Sequence, residues 1–187
     1  MGLGHGKWKI ENGDLWCAEP SGDSEDWLFV GNREWTDYDF TVRATCEMPL
    51  KGHGPGIFFR STSSDHATFA ATNVFKSSQD YMDEIDGTSK RSSWNDSSIP
   101  RYVGPTVRDW SGNGHEIKAS VRGKTVQISV DGVPTIKYEG LRHPNGYVGV
   151  RSHKDWPSRY RNPKVVSPEG KVLLDGWPAL PAEISVR

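Results

Sequence analysis

The sequence predicts an all-β protein in which two antiparallel sheets pack as a jelly-roll sandwich. Short apolar or alternating segments recur along the whole chain, and turn residues separate them at close intervals, as is typical of β-sandwiches. Helical patterns are almost absent. The 187 residues fit a single sandwich domain over 1–187, and a chain of this length can bury a sizeable core.

Strands can be placed from the alternation of apolar and polar residues. The chain opens with a hairpin closed by Asn12 and Gly13, a pair typical of tight β-turns. The glycine-rich segment 52–56 is predicted to be a turn. The predicted strands are 8–11, 14–17, 27–30, 38–48, 57–60, 66–75, 79–86, 116–122, 125–130, 134–138, 147–153, 159–166 and 171–174.

Between Gly87 and Gly114 the strand pattern breaks down. A segment of this length inside a compact domain is often a functional loop, and its aromatic residues favour that interpretation. Trp94 and Trp110 lie in this segment, and we expect them to contact a ligand.

Composition narrows the classes of partner. The net charge of −1 provides no overall field for nucleic acid, and no apolar run approaches the roughly 18 residues of a membrane span. The chain is only 34% hydrophobic yet has 8 Trp, 6 Tyr and 6 Phe. These rings can build a β core or stack on sugars. We therefore expect a carbohydrate ligand, no nucleic-acid partner and no membrane span.

Two further features concern the compartment. We expect a periplasmic or extracellular protein whose signal peptide has been removed. Cys17 and Cys46 lack the spacing of metal ligands, and both fall in predicted strands. They can be two reduced core thiols or one disulfide.

The acidic strand 79–86 is the first candidate site. Alternation places Met82, Glu84 and Asp86 on one face and Tyr81 and Asp83 on the other. Neighbouring carboxylates raise each other's pKa, which suits general acid–base catalysis. We predict that Glu84 and Asp86 are catalytic; a solvated polar face and a calcium site are the alternatives.

The strand 147–153 is the second candidate site. Its valines mark the core side, so Arg151 and His153 share the opposite face. His153 is predicted to be catalytic, as a proton shuttle or a metal ligand, with plain surface as the alternative. Arg151, Arg60 and His66, the last at the edge of a strand, are predicted to bind substrate.

Several segments, in order, resemble the 3-keto-disaccharide hydrolase domain family, which has a concanavalin A-like fold. The similarity extends over nearly the whole chain. It departs from the family at Met82, Glu84 and Arg151, where the family often has Glu, Gln and Gln. The segments that resemble the family include 8–13 (Trp-Lys-Ile-Glu-Asn-Gly), 35–42 (Trp-Thr-Asp-Tyr-Asp-Phe-Thr-Val), 56–60 (Gly-Ile-Phe-Phe-Arg), 146–153 (Gly-Tyr-Val-Gly-Val-Arg-Ser-His) and 160–163 (Tyr-Arg-Asn-Pro).

The resemblance implies cleavage of 3-keto-glycosides. The ketone acidifies the C2 proton, a base removes it, the enolate expels the C1 substituent, and water adds to the enone. His153 or Glu84 would be the base, and Trp94 or Trp110 would stack on the sugar. Arg60, Arg151 or a divalent cation (calcium, magnesium or manganese) held by Glu84 and Asp86 would stabilise the enolate oxygen.

Three other functions remain open. A laminarinase-type hydrolase also has a Glu-x-Asp strand, but its second Glu would fall at Thr88, which leaves that reaction without an acid. The same sandwich also serves as a non-catalytic, lectin-like carbohydrate-binding module. A structural or adhesive domain is the third alternative. Convergence of Glu84, Asp86 and His153 in one cleft would favour the enzyme.

Overall fold

The protein is a β-sandwich of two antiparallel sheets with a lectin-like architecture, as the sequence predicts. The computed structural model describes residues 3–21, 25–46, 53–73, 80–87, 89–92, 98–99, 109–155 and 157–180. Seven strands form the first sheet, in the order β1 (Leu3–Gly4), β4 (Glu25–Val30), β13 (Tyr147–His153), β6 (His53–Ser63), β7 (His66–Asn73), β8 (Tyr81–Asp86) and β9 (Ser89–Ser92).

The second sheet has eight strands. A path of seven is extended by β15 (Val172–Asp175), which pairs with β14. The order along the path is β12 (Val133–Glu139), β11 (Thr125–Val130), β10 (His115–Arg122), β5 (Tyr38–Cys46), β14 (Ser158–Val166), β3 (Asp14–Glu19) and β2 (Lys7–Glu11).

The core lies between the two sheets. The alternation of side-chain directions along each strand determines which residues enter it. Along β5, every second residue is buried, which places Phe40 and Val42 on the inner face. Val148 and Val150 of β13 face them from the first sheet, and all four side chains belong to one core cluster. Each such side chain stabilises the fold by about 1.5–3 kcal/mol relative to an exposed position.

Two buried tyrosines of the second sheet fix the position of β6. The hydroxyl oxygen of Tyr38 accepts a hydrogen bond from the backbone N–H of Arg60 at 2.9 Å, and that of Tyr160 accepts one from Gly56 at 3.1 Å. The Tyr160 hydroxyl also bonds the backbone carbonyl of Arg151 on β13. Strands β6 and β13 are therefore held from behind, by the opposite sheet.

The predicted turn at 52–56 is wrong for its described residues, because His53 to Gly56 are part of β6. Glycine in a strand often marks a close approach of another group, which applies here to Gly56. The short strands β1 and β9 were not evident from the sequence. Cys17 and Cys46 are both buried free thiols, so the disulfide alternative is not realised. Within the described ranges, no helix is long and apolar enough to cross a membrane.

Candidate functional site on the outer face of the seven-stranded sheet

The seven-stranded sheet has a second apolar cluster on the side away from the core. We call this side the outer face. It includes Trp27 and Phe29 of β4, Phe58 of β6, Phe69 of β7 and Tyr81 of β8. Neighbouring rings lie 4.7–5.8 Å apart, so the aromatics form one continuous layer across five strands.

A row of small residues leaves room at the centre of this layer. Arg151 lies directly opposite Gly56, which lies opposite Ala71, which in turn lies opposite Tyr81. A Cβ atom at Gly56 would approach Arg151 Nε to 3.3 Å. The absence of side chains beyond Cβ along this row therefore lets the long arginine lie across the sheet.

Arg151 is the central charged group of the outer face, and its side chain is only 3% exposed. Nη1 donates to Glu25 Oε1 at 2.8 Å and to the hydroxyl oxygen of Tyr81 at 3.1 Å. The guanidinium lies over the ring of Phe69, 5.4 Å from its centroid. Nη2 is buried and has no hydrogen-bond acceptor among the described residues.

Asp83 is a second buried charge on the same face. It lies opposite Phe69 and two residues from Tyr81 along β8. Oδ2 is 2.8 Å from Nζ of Lys90, while Oδ1 is buried and has no donor within the described part of the chain. A buried polar atom without a partner costs about 1–3 kcal/mol, so hydrogen bonding to a ligand, a water molecule or an ion at this atom would be favourable.

Tyr81 connects the two charges. Burial raises the pKa of its phenol, with Arg151 opposing and Glu25 and Asp83 adding to the increase. The phenol is therefore neutral, and its oxygen accepts a hydrogen bond from Arg151 Nη1. Tyr81 and Asp83 thus present a hydroxyl and a carboxylate about 7 Å apart along one strand face.

His153 ends β13 on the outer face, directly opposite Glu25. Its Nδ1 accepts a hydrogen bond from the backbone N–H of Asp155 at 3.1 Å. Burial lowers the pKa of His153, and Arg151 and Lys154 lower it further, while the carboxylates of Asp155 and Glu25 oppose this. His153 and Arg151 share one face, as predicted from alternation.

Glu84 and Asp86 lie on the opposite face from Arg151 and His153. Strand β8 is separated from β13 by two further strands, so the predicted cluster of Glu84, Asp86 and His153 does not form. The Glu84 carboxylate is fully buried on the inner side and accepts the backbone N–H of Arg142 at 2.8 Å. This contact anchors the segment before β13.

Asp86 and His66 form a pair at the edge of the sheet. Nδ1 of His66 is 2.9 Å from the Asp86 carboxylate, and both side chains are about half exposed, at 48% and 50%. His66 also contacts the ring of His143, edge to face. This pair is remote from Arg151 because it lies on the inner side of β7 and β8.

Arg60 is a structural clamp rather than part of the outer face. Its guanidinium bonds the carboxylate of Asp37 at 2.9 Å and the backbone carbonyls of Thr36, Gly123 and His143. Its φ of 48° coincides with a shift in the register of β6 against its neighbours, as at a β-bulge. The guanidinium makes four hydrogen bonds to three separate loops, which gives it a structural role.

Trp110, one of the two tryptophans predicted to contact a ligand, is not a stacking surface. Trp110 is completely buried in the core, against the ring of His115, so it presents no face to a ligand. Trp94 lies outside the described residues. The described chain also contains no group of three or more His, Cys, Asp or Glu side chains able to hold a metal ion.

Sequence reasoning missed Asp83, Tyr81 and Glu25. Alternation predicts that Asp83 lies on the face opposite Glu84, but no pattern in the sequence favours that face as a site. The small residues Gly56 and Ala71, which leave space above the sheet, are seen to be aligned only once the pairing of β6 and β7 is known.

Comparisons with known proteins agree with this architecture. The profile of a family described as the 3-keto-alpha-glucoside-1,2-lyase-like domain matches residues 2–166. No relative was found among the curated proteins.

Solved structures show the fold at low sequence identity. The carbohydrate-binding module CBM66 from Bacillus subtilis has a TM-score of 0.67 and 16% identity, covering 87% of this chain and 92% of the module. A Bacillus subtilis protein of unknown function with a galectin-like fold has a TM-score of 0.67 and 10% identity, covering 92% and 89%. The VIP36 exoplasmic/lumenal domain, solved with calcium and mannose, has a TM-score of 0.66 and 12% identity, covering 94% and 86%.

Proposed function

We propose, since the chain belongs to the 3-keto-alpha-glucoside-1,2-lyase-like domain family, that it cleaves the glycosidic bond of 3-keto-glycosides on the outer face of the seven-stranded sheet. The reaction is elimination across C1 and C2 of the oxidised sugar, followed by hydration. The catalytic groups in this proposal are those of the outer face, because Glu84 is buried on the other side against Arg142.

The observation that carries the proposal is a pair of open hydrogen-bonding atoms. Arg151 Nη2 can only donate and Asp83 Oδ1 can only accept, and both are buried without partners in the described structure. Both charges act on the phenol of Tyr81, so they lie near one point of the face. A ketone oxygen next to a carbon that bears a proton or a hydroxyl fits this arrangement.

The steps follow from these positions. Asp83 Oδ1 accepts the proton from C2, which is acidic because C3 is a ketone. The electron pair moves onto the C3 oxygen, where the Arg151 guanidinium stabilises the enolate charge. The enolate then re-forms the ketone and expels the C1 substituent, which leaves an enone with a C1–C2 double bond. Water adds its hydroxyl at C1 and a proton at C2, giving the free 3-keto-sugar.

The typical contributions of such groups to reaction rates support catalytic roles for Asp83 and Arg151. A positioned general base contributes about 10²–10⁴-fold to a rate, and a donor on a developing oxyanion about 10²–10³-fold. The burial of Arg151 and Asp83 strengthens these effects, since the low local dielectric increases electrostatic interactions.

A carbohydrate-binding role without catalysis is the second candidate. The aromatic layer of the outer face favours it, since sugar rings pack on aromatic surfaces through their C–H faces. A similar fold carries the name carbohydrate-binding module in CBM66. The open atoms Asp83 Oδ1 and Arg151 Nη2 could also bond sugar hydroxyls without catalysis, so release of the aglycone is what distinguishes the two roles.

Aglycone release from a 3-keto-glucoside, compared with the parent glucoside, tests the proposal. We expect release only from the oxidised substrate. Arg151→Lys keeps the charge but removes Nη2, and should lower kcat/KM by about 10²–10³-fold. Arg161→Lys is the matched control, because Arg161 pairs with Asp14 on the other sheet; it should leave the rate unchanged.

Three results would overturn the proposal. The first is equal release from both glucosides, and the second is a wild-type rate in Arg151→Lys. The third is binding of either sugar without release from the oxidised one, which would establish the carbohydrate-binding alternative.

A further inference from the structure

Lys90 lies on the outer face, beside the buried carboxylate of Asp83. It is directly opposite Ile85 on β8, and Ile85 belongs to the outer face because it packs against the aromatic cluster. Residues that pair directly share one face of a sheet, and a long side chain reaches its diagonal neighbour, which here is Asp83. Strand β9 is the last strand in the order of the sheet, so Lys90 approaches Asp83 from the sheet edge.

The ion pair of Lys90 and Asp83 joins an exposed cation to a buried anion. Nζ is 2.8 Å from Oδ2, and the side chains are 55% and 2% exposed. Oδ1 of the same carboxylate has no donor in the described part of the chain. The ammonium therefore lies next to the atom that accepts the C2 proton. It has three N–H groups, of which Oδ2 takes one, and its exposure lets another donate to a ligand oxygen.

We propose that Lys90 is the acid of the reaction, which gives a proton to the C1 oxygen of the glycoside as that oxygen departs. This inference rests on the proposed function, because it takes Asp83 as the base. C1 and C2 are bonded to each other, so the groups that serve them must also lie side by side. An alkoxide is a poor leaving group, and proton transfer from the ammonium converts it into an alcohol.

The proton balance closes over the two steps. In the elimination Asp83 gains the C2 proton, and the electron pair of the C2–H bond passes through the enolate into the C1–C2 double bond. The C1–O bond breaks with its electron pair on the departing oxygen, which takes the proton of Lys90. In the hydration the neutral amine takes a proton from water, the hydroxide adds to C1, and Asp83 returns its proton to C2. Both side chains end in their starting state.

The charges of the pair favour this coupling. Before the elimination, Asp83 is negative and Lys90 is positive. If Asp83 alone gained a proton, the ammonium would lose its counter-ion beside a buried group, which is costly because the local dielectric is low. When Lys90 also gives up a proton, both partners become neutral, and the net charge of the pair stays zero throughout.

Two substrates with different leaving groups test the role of Lys90. Methanol departs from methyl 3-keto-glucoside only slowly without an acid, whereas 4-nitrophenolate departs from 4-nitrophenyl 3-keto-glucoside as a stable anion. Lys90→Met keeps the length of the side chain but has no proton to give. We expect this variant to lower kcat/KM for the methyl substrate by about 10²–10⁴-fold. For the nitrophenyl substrate we expect a loss of no more than about fivefold, because the pair of Asp83 with an exposed lysine is weak.

A second variant separates proton transfer from charge. Lys90→Arg keeps a cation next to Asp83, but a guanidinium does not give up its proton. We expect it to lose activity on the methyl substrate as Lys90→Met does. Lys118→Met is the matched control, since Lys118 pairs with Asp39 at 2.9 Å on the other sheet, and it should keep wild-type rates. Thermal melting of all variants identifies any loss of folding.

The outcomes distinguish this inference from the proposed function. A wild-type rate for the methyl substrate in either Lys90 variant would overturn the role of Lys90, while cleavage itself stands. An equal loss for both substrates in Lys90→Met would also overturn it, because Lys90 would then only position Asp83. If the wild-type protein releases neither aglycone, the proposed function fails and the acid role fails with it.

Discussion

The neighbours Asp83 and Glu84 allow a direct test of which face of β8 meets the ligand. Both are fully buried acidic residues, and they point to opposite sides of one strand. Asp83→Asn and Glu84→Gln are matched changes, since each replaces one carboxylate oxygen with an amide nitrogen. We expect the first to remove activity and the second to remove stability.

The expected size of each effect follows from the contacts. Asp83 pairs with Lys90, whose side chain is 55% exposed, and such a pair contributes about 0–1 kcal/mol to stability. Glu84 faces Arg142, which is 27% exposed, and accepts its backbone N–H. Gln keeps that acceptor but loses the charge, which should cost about 1–2 kcal/mol. For a chain of this size, that lowers Tm by about 2–8 °C.

Aglycone release from 3-keto-glucoside and thermal melting are measured on both variants. Asp83→Asn should lower kcat/KM by about 10²–10⁴-fold and leave Tm within a few degrees of wild type. Glu84→Gln should melt earlier, while the folded protein keeps its rate. The opposite pattern, with release lost in folded Glu84→Gln and retained in Asp83→Asn, would refute the assignment of the site to the outer face.

Three further predictions concern packing and pH. Gly149→Ala should destabilise the fold by about 2–4 kcal/mol in urea unfolding, because the new Cβ would lie 2.5 Å from the carbonyl oxygen of Leu28. Gly56→Ala should unfold nearly as wild type but bind sugar several-fold more weakly, since its Cβ would press on Arg151 Nε at 3.3 Å, and calorimetric titration measures this. Burial raises the pKa of Cys17 from 9.0 to about 12 and that of Tyr160 from 10.0 to about 12. These two groups therefore ionise first in the unfolded chain. Their contribution to the free energy of unfolding should not change as the pH rises toward 9, and it should fall between about pH 9 and 12, which urea unfolding measures.

Alternation predicted the strands well because each side chain direction follows from the previous one. On β13, Val148 and Val150 mark the core, so Arg151 was placed on the outer face correctly. On β8 the same rule separates Met82 from Tyr81 but does not decide which of them faces the core. Both sets contain an apolar residue and an acid, and only the pairing with β7 decides between them.

Glycine and tryptophan misled the sequence interpretation for related reasons. Gly56 resembles a turn residue, yet it lies inside β6 because another group needs its space. Trp110 lies in a segment without a strand pattern and is predicted to contact a ligand, but its ring fills the core. In both cases the deciding neighbour is distant in the chain, so a local pattern contains no information about it.

The second sheet takes part in the site from the core side, through hydrogen bonds to the backbone of β6 and β13. The hydroxyl of Tyr160 bonds the backbone of both Gly56 and Arg151, two residues that lie directly opposite each other on β6 and β13. Burying a guanidinium is costly, and that cost is tolerated only when the backbone that carries it cannot move away from its partners. The core therefore sets the position of Arg151, while Glu25 and Tyr81 set its direction. Arg151 Nη2 is thus directed before any ligand arrives, as catalysis by preorganised donors requires.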